Sequence, residues 1–182
     1  MNSHNAEIIN GIPTFTRGRE RSTLRALAKE VPARGRILEI GTFFGGTTSV
    51  LALANPKAKV YTIDNYSWKA PKLPMGTLEQ NKNCLYRLGI RNVELIQGDS
   101  RVLVEGWNKK IDLLWVDGDH SYEGAFADLA NFGPFSFVIA LHDYGNDKHP
   151  GVKKAVEDFL FVHPQWQLDK VVDTVAILRR GV

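Results

Sequence analysis

The chain predicts an α/β fold of the doubly wound kind, a mostly parallel sheet with helices on both faces and an antiparallel hairpin at its C-terminal end. Three observations carry this reading. Short runs rich in Val, Ile and Leu alternate with stretches of helical periodicity from Arg36 onward. The first run passes into a glycine turn, Gly41-Thr42-Phe43-Phe44-Gly45, that opens a helix. The last two runs, around Val171-Val172 and Thr174 to Leu178, have no helical segment between them, so they pair as a hairpin at the sheet edge.

Residues 1–16 are polar and read as irregular. Arg17 to Glu30 sets Leu24, Leu27 and Ala28 among charges at i, i+3, i+4 spacing, a surface helix buried along one stripe. Strands follow at Arg36–Ile40 and Lys59–Ile63, separated by a helix over Gly45–Ala54 that Asn55-Pro56 stops. Asn65 to Gly76, with Trp68, Pro71 and Pro74, reads as a long loop. A helix over Thr77–Leu88 ends at Gly89, then come a strand at Val93–Ile96 and a short helix over Ser100–Trp107. The apolar run Ile111–Val116 is a buried strand, followed by a helix over Ser121–Leu129. A strand over Phe135–Leu141 and a helix over Gly151–Phe161 lead into the hairpin.

With 182 residues the chain is one domain, an N-terminal arm and helix over 1–34 leading into a core over 35–182. The formal net charge of +3 suits an anionic small ligand and falls short of a nucleic-acid-binding signature. The single cysteine, Cys84, sits in a helical segment without a ligand cluster and reads as an ordinary helix residue. One cysteine allows no internal disulfide, which fits a reducing, cytoplasmic setting. The first ten residues lack the basic and apolar regions of a signal peptide, and no run is long enough to span a membrane.

The glycine turn is a candidate ligand site. The dinucleotide pattern G-x-G-x-x-G needs a glycine where Phe43 stands, so NAD and FAD are disfavoured. Read alone, the turn also fits a strand-to-helix connection with no ligand. Asp64 ends the next strand 23 residues beyond Gly41, where an acid accepts hydrogen bonds from ribose hydroxyls, or simply starts a turn with Asn65. Asp99 and Ser100 end the third strand as ligand contacts or as helix caps.

The chemistry-bearing residues cluster later. Asp117-Gly118-Asp119-His120-Ser121-Tyr122 follows the fourth strand, and His142-Asp143-Tyr144 the fifth. Ligands in such sheets bind at the carboxyl ends of strands, so these two clusters mark a catalytic site that suits a metal. Asp119 reads as a cap of its turn, and Tyr122 and Tyr144 as wall or packing residues. His4, His149 and His163 read as surface residues.

Together, Glu39-x-Gly41-x-x-x-Gly45 and the acids that follow resemble motif I and its partners in the class I S-adenosylmethionine (SAM) methyltransferases. That resemblance implies a single Rossmann-like core in which Glu39, Gly41, Thr42, Phe43, Gly45, Asp64, Asn65, Asp99, Ser100 and Asp117 hold the cofactor. Asp64 would take the ribose and Asp99 the adenine amino group. The D-G-D-H-x-Y and H-D-Y stretches are similar, over roughly residues 35–162, to the macrocin-type sugar O-methyltransferases and cephalosporin-hydroxylase-like proteins. This implies a metal-assisted O-methyltransferase with His120 as general base and Asp117, His142 and Asp143 as metal ligands. His142 stands where the macrolide enzymes typically carry a glutamate. Magnesium suits oxygen donors, and a histidine in the shell moves the preference toward manganese. Sugar hydroxyls are weak acids, so a cation on the acceptor oxygen and a nearby imidazole suit the chemistry.

The expected acceptor is a small hydroxylated molecule, a sugar or glycoside above all. Its candidate contacts are Tyr66–Met75 with Trp68, Tyr144–Gly151 and the N-terminal arm, with Lys69, Lys72 and Lys148 available to an anionic group. A core this small leaves room for a homodimer that completes the cleft. Four other readings stay open: a metal-independent SAM methyltransferase, a nucleic-acid methyltransferase, a non-catalytic SAM-binding protein and, last, a redox enzyme. Against the nucleic-acid reading, no N-P-P-Y-like motif follows the fourth strand.

Overall fold

The computed structural model describes residues 11–69 and 72–181. The expected irregular arm over residues 1–10, with His4, and Pro71 of the long loop lie outside the described residues. Seven strands form one sheet: β1 Arg36–Ile40, β2 Lys59–Asp64, β3 Val93–Gln97, β4 Ile111–Val116, β5 Ser136–Leu141, β6 Trp166–Val172 and β7 Val175–Arg180. Their order is β3-β2-β1-β4-β5-β7-β6. All pairings are parallel except those of β7 with β5 and β6. The order reverses between β1 and β4, so a crevice opens at the carboxyl ends of those two strands.

Six α-helices complete the described fold: α1 Gly18–Glu30, α2 Gly46–Ala54, α3 Leu78–Arg87, α4 Ser100–Leu103, α5 Tyr122–Phe132 and α6 Pro150–Val162. Side chains alternate across β1, which is buried on both faces. Ile37 faces Leu24 and Leu27 of α1, Val50 and Leu51 of α2 and Leu85 of α3. Leu38 and Ile40 face Ala125, Leu129 and Phe132 of α5 and Val156 and Phe159 of α6.

The expected elements form, with shifted ends. Thr77 sits just outside α3 as its cap, its hydroxyl accepting the Gln80 N–H at 3.2 Å. Ser121 caps α5 in the same way at 3.0 Å from the Gly124 nitrogen, and α5 runs on to the fully buried Phe132. The short helix predicted over Ser100–Trp107 is one α-turn followed by a 3₁₀ turn over Val104–Gly106. Phe135 belongs to another 3₁₀ turn, Gly133–Phe135, so β5 starts at Ser136.

The hairpin is antiparallel as expected, but only β6 is an edge. β7 lies inside the sheet, and Val175, Ala176, Ile177 and Leu178 are fully buried, whereas β6 exposes most of its length. A continuous apolar run belongs on a strand covered on both faces, and a mixed one on an edge.

Candidate active site

A cavity of about 1300 Å³ opens over the carboxyl ends of β1, β2, β4 and β5. One side is the glycine turn. Gly41 has φ 94°, and a Cβ there would overlap the Asp117 carbonyl. Glycine thus lets the chain leaving β1 pass tightly beside the chain leaving β4. Phe43 adopts a left-handed φ of 52° without being glycine. The Asp64 carboxylate holds this turn: Oδ2 accepts the Thr42 and Phe43 N–H groups at 2.8 Å each, and Oδ1 the Tyr66 N–H at 2.6 Å.

Of the ten predicted cofactor residues, eight line the cavity: Gly41, Thr42, Phe43, Asp64, Asn65, Asp99, Ser100 and Asp117. Glu39 and Gly45 lie beneath it. Glu39 is fully buried, its Oε2 accepts the Thr48 hydroxyl, and burial pushes its carboxyl up to about 8. Gly45 is the N-cap of α2, and the space where its Cβ would sit is filled by the Asn81 amide oxygen. Asp99 caps α4 and pairs with Arg101, Nη2 to Oδ2 at 2.6 Å. Ser100 donates to the buried Asp128 at 2.6 Å, and burial raises the Asp128 carboxyl to about 7.

The other side of the cavity is a cluster of imidazoles and carboxylates. His120 lies between two acids, with Nε2 3.2 Å from Asp117 Oδ1 and Nδ1 2.9 Å from Asp143 Oδ2. His142 Nδ1 is 3.0 Å from Asp117 Oδ1 and 3.7 Å from Asp143 Oδ2. Asp143 turns back at φ 59°, and Asn146 donates to its Oδ1 at 2.7 Å. Burial opposes charge on both histidines, but the neighbouring carboxylates outweigh it and raise His120 to about 10 and His142 to about 9. The same pairing holds Asp143 well below the usual carboxylate range, although burial works against it.

Two groups here have metal-ligand spacing, Asp117-His120-His142 and His120-Asp143-His149, with donor atoms within 4.8 Å of one another in each. The predicted set Asp117, His142 and Asp143 straddles the two. The site fits a cation by a second sign. His142 Nδ1 is buried and, despite its closeness to Asp117, has no hydrogen-bond partner among the described residues.

Three other expectations meet the structure here. His149, expected on the surface, has a side chain 40% exposed and also borders the cluster, its Nε2 3.7 Å from Asp143 Oδ2 and its ring 4.8 Å from that of His120. The turn before α6 swings it inward. Asp119 caps its turn, accepting the Ser121 N–H at 2.9 Å. Tyr122 points away and donates to Asp158 at 2.9 Å. Glu20 and Asp128 line the cavity without having been singled out, because nothing local to α1 or α5 marks them. At the mouth, Phe15, Phe43 and Trp68 meet edge to face or tilted, with ring centroids 5.3–5.9 Å apart.

A glycine turn after β1, an acid after β2, and acids after β4 and β5 in a sheet of this order define a class I SAM-dependent methyltransferase. The family model described as a methyltransferase domain matches residues 38–144, and the chain belongs to that family. Among solved structures it is similar to a Klebsiella pneumoniae protein assigned as an O-methyltransferase, with TM-score 0.79 and 18% identity over 100% of this chain and 91% of that one. Podospora anserina PaMTH1, solved with S-adenosylhomocysteine (SAH), gives TM-score 0.72 and 19% identity over 100% and 89%. Streptomyces achromogenes TomG, solved with SAM, gives TM-score 0.70 and 18% identity over 100% and 91%. At these identities the likeness establishes the fold. No curated protein matches the sequence.

Proposed function

We propose that this enzyme moves the methyl group of SAM to a hydroxyl of a small molecule, with a divalent cation assisting and His120 as the base. The observation that supports this most is that one cavity joins the glycine turn to Asp117, His120, His142 and Asp143. SAM, the ligand of the TomG structure, supplies an already electrophilic methyl group, and SAH, the ligand of the PaMTH1 structure, is what remains once that methyl has left. The chain's work is therefore to orient the acceptor and remove its proton.

Asp64 keeps the glycine turn in shape, and its Oδ1, which accepts one backbone N–H, retains a lone pair for a ribose hydroxyl. Asp117, His142 and Asp143 would hold the cation, with His120 common to both groups of metal-ligand spacing and His149 beside Asp143. A divalent cation held there would make the acceptor hydroxyl more acidic. Mixed imidazole and carboxylate donors suit manganese or another transition ion better than magnesium. Both His120 nitrogens face carboxylates, which keeps the ring protonated and weighs against a metal-independent base; with Asp117 and Asp143 drawn to a cation, that hold would weaken and let His120 accept a proton. The exposed rings of Phe15 and Trp68 suit an acceptor with a flat face, a sugar or an aromatic ring. No helix among the described residues is long and apolar enough to cross a membrane. A cytoplasmic location is our reading from the lone cysteine.

The test is SAH release from SAM with a panel of hydroxylated sugars and phenols, with and without EDTA, beside calorimetric titration with SAH. Release that stops with EDTA and returns with manganese supports the proposal. Release indifferent to EDTA removes the cation from it, and absence of SAM and SAH binding removes the whole.

A further inference from the structure

Glu20 stands in the first turn of α1 and is 7% exposed. A buried carboxylate needs partners for both oxygens. Oε1 accepts the backbone N–H of Thr174 at 3.2 Å and its hydroxyl at 2.6 Å. Oε2 accepts the Arg17 N–H at 3.2 Å and faces His142 Nε2 at 3.5 Å. His142 is 5% exposed, and its other nitrogen, Nδ1, lies 3.0 Å from Asp117 Oδ1 without a hydrogen-bond partner among the described residues.

An imidazole with its proton on one nitrogen presents a lone pair at the other. Histidines that bind metals usually give that second N–H to a carboxylate, which fixes both tautomer and ring orientation. We propose that Glu20 is a positioning residue of this kind: it holds His142 with Nε2 protonated so that the Nδ1 lone pair is available to a cation that Asp117 and His142 would hold. The inference rests on the cation-assisted reading above. It gives α1 a part in the site that its place in the sequence does not suggest. The helix brings in a carboxylate from behind β5, and the β6–β7 turn at Thr174 keeps it there.

The probe is manganese, titrated calorimetrically into the full chain. Glu20→Gln should weaken manganese binding by roughly 10–100-fold, the usual cost of losing such a partner. SAH affinity and the melting temperature without metal should stay near wild type, and Glu20→Asp should recover part of the loss. A purely structural clip would instead lower the melting temperature and leave manganese affinity alone, and that result overturns the proposal. If Glu20→Gln does not fold, Thr174→Val decides, since it removes the shorter of the two hydrogen bonds to Oε1 while keeping the backbone N–H and the carboxylate. A several-fold weaker manganese affinity is expected, and wild-type affinity overturns the proposal. Wild-type protein that binds neither manganese, zinc nor magnesium would instead sink the cation-assisted reading, and the Glu20 inference with it.

Discussion

His120 Nδ1 stands 2.9 Å from Asp143 Oδ2, which joins the loop after β4 to the turn after β5 across the cavity floor. If His120 handles the acceptor proton, His120→Ala should cut turnover by ~10²–10⁴-fold. SAH affinity should change little, whereas the melting temperature should fall at neutral pH because Asp117 and Asp143 lose the imidazolium between them, so turnover is compared at a temperature where the variant is folded. His163, whose ring packs on Phe159 outside the cavity, is the control. Wild-type turnover in His120→Ala would show that another group takes the proton.

Removal of metal should separate cofactor binding from chemistry. Dialysis against EDTA is expected to abolish turnover while SAH still binds, since the glycine turn and Asp64 contribute no donor to the groups of metal-ligand spacing. Asp117→Ala should abolish the response to added manganese. Loss of SAH binding on chelation would mean that the cation supports the cofactor and not the acceptor.

Gly41→Ala should be costly. The φ of 94° disfavours any side chain, which costs more than ~1 kcal/mol, and the overlap with the Asp117 carbonyl adds roughly 1–3 kcal/mol. Because the strain sits where β1 and β4 diverge, SAH affinity should fall together with stability. Denaturant unfolding and SAH titration of this variant would show it, and a variant as stable as wild type would contradict the close approach.

Asp128 makes stability depend on pH. Its carboxyl is raised to about 7 by burial, against about 3.9 in an unfolded chain. The folded state therefore binds more protons between those values. The stability contributed by the neutral carboxyl is complete below about pH 3.9 and is lost as pH rises through about 7. Asp128→Asn keeps an acceptor for the Ser100 hydroxyl and removes the titration. Its melting temperature should exceed wild type at pH 8, by a margin that shrinks steadily toward pH 5. A margin independent of pH would show that Asp128 does not titrate there.

Much of this protein is written locally. Period-two and period-3.6 apolar patterns set the strands and helices, since each buries a face whose spacing the sequence displays. Gly41 and Gly45 mark the turn after β1 because their positive φ disfavours most other residues. Asp117, His120, His142 and Asp143 could be picked out because they sit just after strands, and parallel strands bring such ends together.

What only the tertiary structure decided depends on contacts between distant segments. β7 enters the sheet between β5 and β6, a choice among burials that pairwise patterns do not rank. Glu39 carries a motif position yet turns under the cavity toward Thr48, because side chains alternate along β1 and that face is packed by α2. His149 looks like a loop histidine until the turn before α6 swings it beside Asp143. Glu20 reads as one more charge on a surface helix, and only the docking of α1 sets it behind His142. The sequence by itself determined the fold class and the acids and histidines that gather at the strand ends, because those follow from spacing along the chain. The partners of those residues come from elements far away in sequence, and packing in three dimensions alone decided them.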